Sequence, residues 1–243
     1  YNLKNKNKVK IVKVLSGYVD SSEIKHYEKY SKTKTIDFSY RVFSAKARNG
    51  YLGYQKILIG NLFKEKLAKS KFSFDISMNV KKTIYGSKWV KFMANSKYTL
   101  GIEGGSSLYD PEYKFKDKCL EYEKKNPNAS FKEIEAKCFK NKDNLVSCAV
   151  ITPRMFEAAM ARTCLILKEG NYNNILKKNV HYIPIKKDYS NIDNIIKNLN
   201  DKEREKIIER CHRDLIKSGN YTYEKFVKNF FKDIQFAKTL KPK

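Results

Sequence analysis

The stretch ITPRMFEAAMARTCLILKEG, residues 151–170, decides the fold. Thr152 is a good N-cap, and Pro153 suits the first helical position, where its fixed φ and missing N–H cost nothing. Ala158, Ala159 and Ala161 keep the helix slim enough to pack closely on a sheet. CLIL follows as a short apolar run with the composition of a buried strand. A helix that feeds straight into such a strand is half of a βαβ unit.

Outward from this unit the alternation continues. TIDFSYRVF (35–43) has strand character, and YLGYQKILIGNLFKEKLAK (51–69) carries apolar residues at helical spacing with a basic end. FSFDIS and YTLGI read as strands separated by the short helix SKWVKFMANSK. HYIPI is a further strand, IDNIIKNL a helix capped from Ser190 to Asp193, and the tail from Asp201 to Phe236 two more helices. This order predicts an α/β domain with a doubly wound, parallel, Rossmann-like sheet over residues 36–243. EYKFKDKCLEYEKKNP and SFKEIEAKCFKNK interrupt it as a helical insertion at about 112–146, the second helix opening on a Ser130/Glu133 capping box. Residues 1–35, polar with one apolar stretch from Val9 to Leu15, read as a linker or crossover. The chain opens on Tyr1, which suggests a piece of a longer protein.

The net charge of +25 favours polyanions and anionic membrane faces. Lysine is spread evenly, however, and the mixed opening from Lys4 to Lys13 is the only basic block, so a compositional bias accounts for much of it. A non-catalytic nucleic-acid-binding α/β protein stays open as the alternative function, although the aromatics follow core periodicity and no helix-turn-helix or RRM pattern is present. No apolar run is long enough for a membrane span. The cysteines (Cys119, Cys138, Cys148, Cys164, Cys211) fit neither a disulfide framework nor a zinc site. Cys148 and Cys164 fall in apolar stretches and are expected in the core, and the compartment is read as reducing, hence cytoplasmic. His26, His181 and His212 lack metal-ligand spacing, and no metal or cofactor is expected.

Three places carry candidate chemistry. In YTLGIEGGSSLYDPE a strand runs into Glu103, Gly104, Gly105 and Ser106; the glycines permit close backbone approach, and Glu103 suits sugar hydroxyls better than phosphate. A plain Gly-Gly turn explains that stretch equally simply. At the start of the 151–170 helix, Arg154 places a positive charge in the first turn, against the helix dipole, and Glu157 follows one turn in. A bound anion resolves the conflict; so does an Arg154–carboxylate surface pair with Glu157 solvated. Arg41 closes a strand and Lys56 lies early in the next helix, a pair able to clamp a diphosphate, although lysine is common everywhere in this chain.

Taken together, SYR, GYLGYQKILIG, FSFDIS, YGSKWVKFMANSKYTLGIEGGSSLYDPE, NPNASFKEIE, ITPRMFEAAMARTCLILKEGNY and HYIPIKKDYSNIDNIIKNL resemble the C-terminal donor-binding domain of GT-B glycosyltransferases, most of all the bacterial surface-polysaccharide group. The resemblance runs from about Ser39 to the end. It implies one half of a GT-B architecture, a nucleoside-diphosphate-sugar donor as substrate, and a glycan or lipid-linked acceptor. It implies that Glu157 binds the ribose and that Arg41, Lys56 and the helix N-terminus, with Arg154, hold the diphosphate, without a metal. The broader family carries a second glutamate eight positions earlier; here that position is Ala149, and Glu103, displaced by the insertion, is expected to take its role on the sugar. Transfer is expected to be retaining. A separate N-terminal acceptor domain is implied, so this piece alone is expected to transfer nothing. The inner face of the membrane is the implied place of work.

Overall fold

The computed structural model describes residues 12, 14–31, 33–43, 47–146 and 148–239. The basic opening from Lys4 to Lys13 therefore lies outside the described residues apart from Val12. Five parallel strands form one sheet: β1 (Ile36–Arg41), β2 (Phe74–Ser77), β3 (Ser96–Gly101), β4 (Cys164–Lys168) and β5 (Tyr182–Ile185), in the order β2-β1-β3-β4-β5. Strand β4 lies between β3 and β5, with Leu165 opposite Thr99 of β3 and Tyr182 of β5. Its side chains alternate between two cores: Leu165 and Leu167 join one, Cys164 and Ile166 the other. That explains the unbroken apolar run, because both faces of a parallel sheet are covered.

The first core takes α1 (Ile24–Tyr30), α3 (Gly86–Ala94) and α6 (Pro153–Met160). The second takes α2 (Gly50–Leu67), α7 (Ile192–Lys197) and Ile207 and Ile208 of α8 (Asp201–His212). The expected doubly wound α/β architecture is thus observed. The stretch read as a linker carries α1, whose Tyr27 is buried against the first core, and Val19 pairs with Thr222 just before α9 (Tyr223–Thr239).

The insertion supplies α4 (Lys114–Lys125) and α5 (Phe131–Cys138), closed around a small core of Leu108, Cys119, Phe131, Ile134 and Phe139. Only half of the capping box forms: Ser130 Oγ accepts from the Glu133 N–H, while the Glu133 carboxylate accepts from Tyr122 O–H instead. The insertion also caps α2 from outside. Asn49 makes no side-chain cap, and Asp143 Oδ2 accepts the Tyr51 N–H at 2.8 Å while Ser107 Oγ accepts that of Leu52 at 3.0 Å. Gly50 stands at φ +66°, where a side chain would meet both Asp143 and Ser107. Cys164 is buried as expected, but Cys148 is exposed. Among its described neighbours there is no strand; the Gly104–Val150 bridge and the Cys148 N–H to Ser106 carbonyl bond hold the backbone, while the Cys148 side chain stays outside the core.

Below the sheet, Lys34 joins two helix ends. Its ammonium donates to the carbonyls of Ala94 (2.8 Å) and Ala161 (3.0 Å), which end α3 and α6, and to Thr163 Oγ1. Burial lowers its pKa to about 8, which leaves it charged at neutral pH and matched to both helix dipoles. Lys34→Met is expected to lower stability by about 2 kcal/mol, as for loss of charged hydrogen bonds to half-buried carbonyls. Denaturant titration checks this; an unchanged midpoint would show that the ammonium is dispensable.

Candidate functional site

The strand order reverses beside β1, which neighbours both β2 and β3. Crevices beyond the carboxyl ends of strands open at such reversals. Here a cleft of about 490 Å³ lies there, walled by the end of β1 from Tyr40 to Phe43, the loop 79–86, Trp89 of α3, Ile102 past β3, Lys56 of α2, and Thr152 to Arg154 with Glu157 at the start of α6. Arg41, Lys56, Arg154 and Glu157, named from sequence at separate points, therefore face one space.

Their chemical states differ. Arg41 is committed: it pairs with Asp75 Oδ2 at 2.7 Å, donates to the carbonyls of Asp75 (2.9 Å), Tyr40 (3.1 Å) and Lys82 (3.2 Å), and lies 4.6 Å from the Phe92 ring centroid. It pins β1, β2 and the following loop together and forms part of the cleft floor. Arg154 is not committed in this way. Its guanidinium sits 5.7 Å from the Tyr40 ring centroid and 5.6 Å from that of Trp89, and its buried Nε has no hydrogen-bond partner among the described residues. Two aromatic faces stabilise the cation, but they leave a donor unsatisfied at a cost of about 1–3 kcal/mol.

Lys56 completes a pair of like charges. Burial first, and then Arg154, lowers its pKa, and among the described residues its ammonium reaches only the Gly105 carbonyl, at 3.4 Å. Tyr40 fixes that part of α2 by donating its O–H to the Lys56 carbonyl at 3.0 Å. Opposite them, Glu157 Oε2 accepts the Trp89 indole N–H at 2.9 Å. Burial raises the Glu157 pKa, against the opposing pull of Trp89 and Arg154. The surface pairing considered for Arg154, with a solvated Glu157, is therefore not what the fold builds; both side chains are half-buried.

Glu103, Gly104, Gly105 and Ser106 lie beside this cleft and do not line it. Glu103 follows the cleft residue Ile102 and turns to the loop after β4, where Oε1 accepts the Tyr172 N–H at 2.8 Å. Gly105, at φ +93°, packs directly on the Cys148 carbonyl, so no side chain fits there. Ser106 Oγ donates to Leu108 O at 2.8 Å and accepts the Leu108 N–H at 3.1 Å, which makes it a turn residue. Trp89 and Tyr40 are cleft residues that the sequence reading passed over. Trp89 is the one tryptophan of the chain, set early in the helix after β2, and that singularity was the available signal. His181 is buried and structural: Nδ1 accepts the Lys177 N–H at 3.2 Å, so Nε2 donates to Asp214 at 3.0 Å. Among the described residues, no three His, Cys, Asp or Glu side chains converge as metal ligands, and no helix is long and apolar enough to cross a membrane.

No family model matches the chain, and no curated protein does. Among solved structures, the crystal structure of TarM aligns with 93% of this chain and 38% of its own, at 12% identity and a TM-score of 0.41. The C-terminal domain of a glycosyl transferase group 1 family protein (LpcC) from Francisella tularensis aligns with 84% of this chain and 99% of its own, at 9% identity and a TM-score of 0.38. The chain thus spans 38% of TarM's length. Likenesses of this size assign no residue a role.

The strained state of Glu157 has a measurable consequence. With its pKa raised on folding, the folded protein keeps a proton that the unfolded chain has already released, from the free value of 4.5 up to the raised one. Stability therefore falls as pH rises through that window, and the ionised carboxylate weakens the protein at neutral pH. Glu157→Gln is expected to melt above the parent at pH 7, with the gap closing near pH 4. A lower melting temperature for the variant at pH 7 would contradict the assignment.

Proposed function

We propose that the cleft receives the nucleoside diphosphate of a sugar donor, and that the chain is the donor-binding part of a glycosyltransferase. The observation that supports this most is the convergence of Arg154 and Lys56, like charges with unspent donors, at the N-terminus of α6. A diphosphate supplies negative charge to the Arg154 guanidinium and the Lys56 ammonium, both of which line the cleft, and the first amides of α6 add their dipole. Glu157 repels phosphate but accepts hydroxyl protons, and Trp89 holds it in one rotamer, which suits a ribose diol. Phe43 and Tyr85, 52% and 77% exposed, offer aromatic faces at the rim for a base.

The chemistry follows from charge. Breaking the bond between the sugar's anomeric carbon and the donor oxygen leaves a nucleoside diphosphate with an added negative charge. Arg154, Lys56 and the helix end stabilise that developing charge, and preorganised groups in a half-buried cleft do so more strongly than water. Arg41 acts one step back, holding the floor. A sugar that extends past Ile102 meets Glu103, whose carboxylate is oriented by the Tyr172 N–H. The motif resemblance supports the finer reading: retaining transfer to a glycan or lipid-linked acceptor during cell-surface polysaccharide synthesis, completed by a separate acceptor domain in the cytoplasm. The charge of +25 suits work beside an anionic membrane face.

Calorimetric titration with UDP, GDP, ADP and CDP tests the reading. One diphosphate is expected to bind selectively, and Arg154→Ala and Glu157→Ala are each expected to weaken it roughly ten- to hundredfold, the worth of one charged hydrogen bond. Flat titrations with all four, together with tight and steeply salt-dependent binding of a random oligonucleotide, would replace this reading with a nucleic-acid-binding one.

A further inference from the structure

The helical insertion creates a second concavity on the far side of α2. It has a volume of about 520 Å³, within the ~300–1,000 Å³ range of small-ligand sites. Three rings form its wall. Tyr54 and Phe131 stack with centroids 4.8 Å apart and planes at 26°, and Tyr51 lies 5.5 Å from Phe131 and 6.1 Å from Tyr54. Two come from α2 and one from α5, so the wall exists only because the insertion packs there.

The rim is polar and oriented. Both oxygens of Asp143 are held by backbone amides, Oδ2 by Tyr51 and Oδ1 by Asn144, which fixes the direction of their remaining lone pairs. Ser130 at the start of α5, Lys132 and Glu135 within it, and the exposed amide of Asn144 complete it. An aromatic wall edged by one oriented carboxylate, a second carboxylate and an amide matches one ligand chemistry. A pyranose presents an apolar C–H face to a ring and equatorial hydroxyls to acceptors around it. A phosphate-bearing ligand meets two carboxylates against the single ammonium of Lys132, a net negative rim that disfavours it. Tyr51 is 38% exposed, so part of its ring is open to a ligand.

We propose that this concavity is a carbohydrate-binding subsite, taking uncharged pyranose units of a glycan chain with Tyr51 as its stacking platform and Asp143 and Glu135 as hydroxyl acceptors. Tyr51 and Lys56 are five residues apart on α2, about 7.5 Å along its axis, so the concavity and the donor cleft share that helix. Its role as an anchor for the acceptor glycan rests on the transferase reading above; the binding itself rests on the concavity alone.

Saturation-transfer NMR on the full chain, with maltotriose, cellotriose and tri-N-acetylchitotriose as probes, tests it. At least one trisaccharide is expected to give strong signals from its ring C–H protons. Tyr51→Ala and, separately, Glu135→Ala are expected to weaken that binding at least tenfold, with melting temperature confirming that each variant is folded. Diphosphate binding is expected to survive both changes, and saccharide binding to survive Arg154→Ala. Silence from all three probes, or binding unchanged in both platform variants, would overturn the proposal. Saccharide binding lost in Arg154→Ala would also overturn it, because the sugar would then occupy the donor cleft. Failure of diphosphate binding alone would remove the transferase reading and leave the subsite standing.

Discussion

Helix α6 lies on the sheet through Met155, Phe156, Ala158 and Ala159, none more than 3% exposed, and the geometry of the cleft depends on that contact. Small side chains at 158, 159 and 161 let the helix approach the sheet closely. Its start is braced on two sides: the Ile151 N–H donates to Asn173 Oδ1 at 2.7 Å, and Ser16 Oγ donates to the Ile151 carbonyl. Its end is fastened by Lys34 at Ala161. A helix held this firmly delivers Arg154 and Glu157 to the point where the strand order reverses. Neither residue has much freedom to leave.

That rigidity has an energetic consequence. Glu157 is held partly out of water, Lys56 faces a like charge, and the Arg154 Nε is left without an acceptor. Each of these lowers the stability of the ligand-free chain. Local rules broken together at one place, in a domain that obeys them elsewhere, mark a functional site more reliably than any one of them does. The contrast with Arg41 is instructive. It lines the same cleft, yet its donors are spent on Asp75, Tyr40 and Lys82, so its contribution is to shape.

Much of the scaffold was legible in the sequence because its signals are local. The apolar run of β4, the N-cap and proline of α6 and the alternation of strands and helices all lie within short windows. Strand order was not legible, because parallel pairs are joined through long crossovers and the period of a strand does not name its neighbour. The exposure of Cys148 escaped because an apolar stretch does not say which side of the backbone faces the core; its backbone is held to Ser106 while its side chain faces out. At the site, charge marked Arg41, Lys56, Arg154 and Glu157, whereas the partition of roles between Arg41 and Arg154 depended on Asp75, 34 positions away from Arg41. The capping of α2 by Asp143 spans 92 positions and could not be read from either segment alone.

The central claim is that Arg154, and not Arg41, is the guanidinium that takes a diphosphate. The most direct measurement is an arginine side-chain ¹⁵N–¹H spectrum of the chain titrated with inorganic pyrophosphate. The Arg154 Nε–H resonance is expected to shift as its guanidinium takes the anion, while the Arg41 resonance stays in place. Movement at Arg41 with Arg154 unmoved, or no movement at either, would contradict the account.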